Sequence, residues 1–170
     1  KVGQRRDDHK KRVLIVGGAK AGEKLEWAVG LSAKFDKVLL GGRLPVEVVN
    51  SGISVPANIV IARLRGDGLD IDQESIEQFK MEILNAGVVV VAGPMGRFEV
   101  TLDNSSWGTG EVFKAVANSG AYKVAGGGDT EMALNKFGLK EKFDWVSVGG
   151  GSMLAFLATG TLPGIEALVT

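Results

Sequence analysis

Apolar residues in this chain gather into six short runs: Arg12–Val16, Lys37–Leu40, Asn58–Ala62, Val88–Ala92, Tyr122–Ala125 and Trp145–Val148. Most are unbroken stretches of Val, Ile, Leu and Ala. Runs of this kind predict strands covered on both faces, as in a parallel sheet. Helical spacing falls between them. Gln73–Asn85 puts Ile76, Phe79 and Ile83 on one stripe, with Asp72 placed to cap the start. Leu25–Lys34 aligns Leu25, Ala28 and Val29, and Glu111–Asn118 aligns Val112, Phe113 and Val116, with Gly120 as a stop. A further helix is expected from near Glu131. Gly42–Pro56 is rich in turn residues, with room for one short helix, and Arg65–Asp70 reads as a turn.

Strand and helix alternate along the whole chain. The expected architecture is α/β, a three-layer αβα sandwich with a Rossmann-like parallel sheet of about six strands. At 170 residues and 45% hydrophobic composition, one domain with a sizeable core is expected over residues 13–170. Residues 1–12 read as a connector or tail. They carry a net charge of +4, which leaves −4 for the rest.

The overall balance of 20 basic and 20 acidic residues argues against a nucleic-acid or anionic-membrane partner. Cysteine is absent, which excludes disulfides, thiolate metal sites and Cys nucleophiles. The single histidine, His9, lies in the charged start, which argues against a His-based triad or a zinc site. No apolar run approaches the roughly 20 residues of a membrane span. The charged start lacks the apolar stretch of a signal peptide. A cytoplasmic protein is the default expectation.

Glycine changes the picture. Of the 25 glycines, 12 fall in turns directly after the strand-like runs, most of them as pairs and triplets. Gly17-Gly18-Ala19-Lys20 follows the first, with Lys24 beyond it. Gly41-Gly42 follows the second, and Gly93-Pro94-Met95-Gly96-Arg97-Phe98-Glu99 the fourth. Gly126-Gly127-Gly128-Asp129-Thr130 follows the fifth, and Gly149-Gly150-Gly151-Ser152 the sixth. In open α/β sheets, ligands bind outside the carboxyl ends of the strands. Backbone without Cβ atoms at a strand-to-helix turn lets N–H groups approach an anion, and the helix N-terminus adds partial positive charge. Lys20 and Lys24 suit a phosphoryl group in transit, although two solvated surface lysines are the plainer alternative. Asp129 suits a metal ion carried by phosphates, or a simple helix cap. Glu99 suits a ribose hydroxyl or is an ordinary surface carboxylate. Neither a Walker-type loop nor a G-x-G-x-x-G fingerprint is present.

Four of these pieces in this order, Gly17-Gly18-Ala19-Lys20 with Lys24, Gly93-Pro94-Met95-Gly96 with Phe98-Glu99, Gly126-Gly127-Gly128-Asp129-Thr130, and Gly149-Gly150-Gly151 followed by Leu162-Pro163-Gly164-Ile165, resemble the carboxy-terminal, nucleotide-binding domain of phosphoglycerate kinase. The likeness runs from Val13 to Leu168. It implies an enzyme family that interconverts 1,3-bisphosphoglycerate plus ADP with 3-phosphoglycerate plus ATP, using Mg²⁺, in glycolysis. Lys20 would then steady the migrating phosphoryl group, with Gly149 and Gly150 offering N–H groups to it. Lys24, Gly18 and Ala19 would face nucleotide phosphate, and Glu99 the ribose. Gly126, Gly127, Gly128, Asp129 and Thr130 would cradle the phosphates, with Asp129 toward Mg²⁺. Gly41, Gly42 and Pro94 would lie on the adenine side.

Five departures accompany the likeness, one being Val148 where a hydroxyl residue usually precedes the last glycine triplet. Val91-Ala92 replaces a Trp-Asn pair. Arg97 replaces an apolar residue, and Arg43-Leu44-Pro45 follows Gly42 where Gly-Met-Ala is usual. The stretch before Gly93 is shortened by at least one helix. Nothing corresponds to the amino-terminal, phosphoglycerate-binding domain, which is the implied partner. The chain is expected to be a monomer that binds nucleotide without turning it over. The other readings are a catalytically silent nucleotide-binding scaffold and, more remotely, a dinucleotide oxidoreductase domain.

Overall fold

A computed structural model describes residues 10–99 and 107–162. His9, most of the 1–12 segment and Pro163-Gly164-Ile165 lie outside the described residues. The chain runs β1 (Lys11–Val16), α1 (Ala21–Leu31), β2 (Lys37–Leu40), α2 (Leu44–Ser51), β3 (Ile59–Ile61), α3 (Gln73–Leu84), β4 (Ala86–Ala92), α4 (Trp107–Asn118), β5 (Tyr122–Gly126), α5 (Gly128–Lys136), β6 (Trp145–Ser147) and α6 (Gly150–Thr159). All six strands pair in parallel in one sheet, in the order β3-β2-β1-β4-β5-β6. This is the α/β sandwich expected from the apolar runs.

Alternation along each strand divides the core in two. Val13, Ile15, Leu39, Val89, Val91 and Ala125 face α3, α4 and α5, where Phe79, Phe113 and Leu134 close the layer. Leu14, Val16, Val38, Leu40, Val90 and Val124 point the other way, toward α1, α2 and α6. Successive side chains on a strand project to opposite faces, so a strand with helices on both sides must be apolar at every position. That requirement is why the central runs contain no polar alternation. Each fully buried Val, Leu or Ile contributes about 1.5–3 kcal/mol relative to exposure.

Helix boundaries follow local chemistry. Asp72 caps α3 as expected, its carboxylate accepting from the Ser75 N–H at 2.8 Å. The loop-rich 42–56 stretch does hold one short helix, with Pro45 in the first turn of α2, where a missing N–H costs nothing. Three expectations shift, the first being that α4 starts at Trp107 rather than Glu111. α1 starts earlier than Leu25, and a 3-10 turn at Ser32–Lys34 completes its end. α5 begins at Gly128 rather than near Glu131, so the glycine run enters the helix itself.

Candidate functional site

The helices that follow β1 and β4 pack on opposite faces of the sheet. β1 and β4 are neighbours, so the winding reverses between them. The crevice at such a reversal is where an open α/β sheet receives a ligand. The turns Gly17–Lys20 and Gly93–Glu99 meet there.

On the β2–β1–β4 side the turns close on one another. The Gly18 N–H donates to Pro94 O at 2.8 Å, the Gly42 N–H to Met95 O at 2.7 Å, and the Arg43 N–H to Gly18 O at 3.1 Å. Gly41 is buried, and a Cβ on it would sit 2.6 Å from Met95 Sδ. Gly93 has φ +112°, and a Cβ there would collide with the Gly17 carbonyl. Glycine is required at Gly93 so that two backbones can touch. The Lys24 ammonium fills the gap beneath them. It donates to Gly17 O at 2.7 Å and reaches Ala92 O at 3.5 Å, tying β1 to β4. Burial pushes its pKa down; Asp129 opposes that shift, and Lys20 adds to it. The structure therefore brings Lys20, Lys24 and Asp129 into one electrostatic group across two strand-to-helix connections.

The β5–β6 side is open. α5 begins after Gly127 and α6 after Gly149, and neither has a side-chain cap. The two starts touch: a Cβ on Gly127 would meet Gly150 Cα at 3.4 Å. Each helix leaves its first N–H groups without intrahelical partners. Two uncapped N-termini thus point into the same space, each with partial positive charge. α1 and α2 also lack side-chain caps, whereas Asp72 caps α3, which starts well beyond β3. Gly127, not Asp129, occupies the cap position of α5, so capping does not account for Asp129. Its carboxylate is exposed in the first turn of that helix.

Thr130 is a joint rather than an exposed donor. It is 1% exposed, accepts from the Gly93 N–H at 2.8 Å and donates to Gly126 O at 2.9 Å. Ala19 and Lys20 are exposed at the mouth, while Gly18 and Pro94 are buried. Glu99 is exposed at the far end of its loop, its carboxylate accepting from the Phe98 N–H at 3.1 Å.

Three residues that the sequence did not single out hold this loop. Asp70 is buried, accepts from the Gly108 and Ile71 N–H groups, and lies against Gly96. Burial pushes its carboxyl pKa up. Thr109 accepts from the Met95 and Gly96 N–H groups at 3.1 and 3.2 Å. Lys136 donates to Phe98 O and Glu99 O. No local motif marks these residues, because their partners lie far away in the chain. Beside them, Arg65 stacks over Trp107 at 4.7 Å.

No cluster of three or more His, Cys, Asp or Glu residues forms among the described residues. Asp129 therefore belongs to no such cluster, and it sits beside a phosphate-suited cradle. Mg²⁺ is commonly held by one or two carboxylates plus substrate phosphates and water, so this donor set fits a nucleotide-borne Mg²⁺ and not an all-protein cage.

The sequence profile of phosphoglycerate kinase matches residues 44–160. The chain belongs to the phosphoglycerate kinase family. It is 34% identical over 198 residues to the phosphoglycerate kinase of Solibacter usitatus, covering 92% of this chain and 50% of that protein. To the Thermus thermophilus enzyme it is 30% identical over 211 residues, covering 96% of this chain and 54% of that one. The solved phosphoglycerate kinase of Coxiella burnetii superposes with a TM-score of 0.76 at 25% identity, covering 95% of this chain and 53% of that one. The Pyrococcus horikoshii structure shares the fold, with a TM-score of 0.79 at 24% identity over 99% of this chain and 53% of that one. The chain thus spans about half the length of the phosphoglycerate kinases it matches. Both alignments are longer than its own 170 residues, so those relatives carry segments that this chain lacks.

Proposed function

We propose that this chain is the nucleotide-binding half of a phosphoglycerate kinase and binds Mg-ADP and Mg-ATP at the rim described above. The reading rests on one observation above all: two uncapped helix N-termini side by side, next to Lys20, Lys24 and Asp129. Such a cradle suits a polyphosphate. The N–H groups at the start of α5 would take the nucleotide phosphates, and Gly149 and Gly150 the group being transferred. Lys20, exposed at the mouth, would neutralise charge on the equatorial oxygens of that group. Lys24, already fixed between two strands, would add positive charge from below. Glu99 would accept from ribose hydroxyls, and Gly41, Gly42 and Pro94 would floor the adenine side. Asp129 would hold Mg²⁺, which when bound neutralises phosphate charge.

Transfer between an acyl phosphate and ADP joins a good leaving group to an anionic nucleophile. No general base is then needed at the rim. The reading places the protein in glycolysis in the cytoplasm, with a phosphoglycerate-binding domain as its working partner. Calorimetric titration with Mg-ADP is expected to give saturable heat, and no heat at millimolar nucleotide sinks the proposal. A coupled ATP assay of this chain alone is expected to show no turnover. Robust turnover would overturn the half-enzyme part while leaving nucleotide binding standing.

A further inference from the structure

One helix holds both ends of the Gly93–Glu99 loop. At its start, Thr130 accepts from the Gly93 N–H at 2.8 Å. At its end, the Lys136 ammonium donates to Phe98 O at 2.6 Å and Glu99 O at 3.0 Å. α5 also presents Asp129 and its first N–H groups to the open side of the rim. Asp129 and Lys136 are about two turns apart, roughly 10 Å along the axis. A rigid rod therefore sets the spacing between the anion cradle and the Glu99 carboxylate. Phe98 is buried, and Glu99 bonds back to the Phe98 N–H. Fixing these two carbonyls fixes where the carboxylate starts from.

The geometry points to Lys136 as a positioning residue that sets the reach of Glu99 from the phosphate cradle, and so governs discrimination for the ribose hydroxyls of a nucleotide. The inference rests on the nucleotide reading above and deepens it. Lys136 need not touch the ligand. Its two hydrogen bonds replace motion of the loop end with a single geometry, and a carboxylate discriminates hydroxyls only when held in reach of them.

The test compares Mg-ADP, Mg-2′,3′-dideoxy-ADP and magnesium tripolyphosphate by calorimetry, on the native chain and on Lys136→Met. The native chain is expected to prefer ADP over the dideoxy form by about tenfold, the worth of hydrogen bonds to a charged acceptor. Lys136→Met is expected to cut that preference to about twofold, a residue of the same gain, with tripolyphosphate binding unchanged. Lys136→Arg keeps a cationic donor at similar reach and is expected to retain the preference. An undiminished preference in Lys136→Met overturns this inference alone. So does an equal loss of tripolyphosphate binding, which would mark a general structural role. If the methionine variant does not fold, Lys136→Gln carries the same comparison. Absence of Mg-ADP binding by the native chain would remove the nucleotide reading itself, and this inference with it.

Discussion

The two sides of the rim use the same residue type for opposite ends. Around β1, β2 and β4, the turns bury their glycines against one another and spend their N–H groups on neighbouring carbonyls. Around β5 and β6, the turns run into helices whose first N–H groups have no side-chain cap. One side is a foundation, and the other is left open, the receptor under the proposed function. A glycine-rich turn is thus not by itself a ligand contact; what the missing Cβ makes room for decides its role.

Substitution should separate the two sides. Gly93→Ala forces a positive φ on a residue with a side chain and drives its Cβ into the Gly17 carbonyl. It is expected to cost about 3 kcal/mol or more of stability in urea unfolding. Gly128→Ala meets nothing within 4 Å. It should leave stability unchanged or raise it by up to about 1 kcal/mol, yet weaken Mg-ADP by about tenfold, one charge-assisted hydrogen bond. A stable Gly93→Ala, or a Gly128→Ala with native affinity, would erase the distinction.

Lys24 sharpens the comparison because it belongs to both sides. Lys24→Met is expected to destabilise the fold by about 1–3 kcal/mol, because Gly17 O loses its ammonium donor while Ala92 O keeps the Gly17 N–H. The folded-state pKa of Lys24 is lowered, so the unfolded chain holds the proton more tightly. Stability should therefore rise with pH through the alkaline range, between the lowered value and 10.5. Measured at increasing pH, the stability gap between the native chain and Lys24→Met should widen. A gap that narrows instead would place the ammonium elsewhere.

The smallest effect on folding is expected on the open side. Asp129→Asn should change stability by less than about 1 kcal/mol, the scale of one charge at a helix N-terminus. Its effect should appear as about a tenfold loss of the Mg²⁺-dependent part of ADP affinity. An unchanged Mg²⁺ response would free Asp129 of that role.

Much of the fold was legible in the sequence. A strand covered on both faces has no polar option, so Val88–Ala92 could hardly be read otherwise. Asp72 announced its cap because capping is local. The start of α5 was misplaced because glycine is a poor helix former in general yet tolerable in a first turn. The site was legible only as a set of turns. That Gly17, Gly42 and Pro94 would lock together depends on the strand order, which no short motif encodes. Asp70, Thr109 and Lys136 were invisible for the same reason: Asp70 meets Gly108 and Lys136 meets Phe98 across long stretches of chain.

The strand order also bears on how the chain assembles. The central pairing joins Val13 to Val89, whereas β2 can join β1 as soon as α1 is in place. Closing a long loop is entropically slow, and distant contacts form late. The β3-β2-β1 half should therefore exist as an unfinished sheet with β1 as a bare apolar edge until β4 arrives. During synthesis that edge is the chain's most exposed moment, and α3 together with β4 ends it.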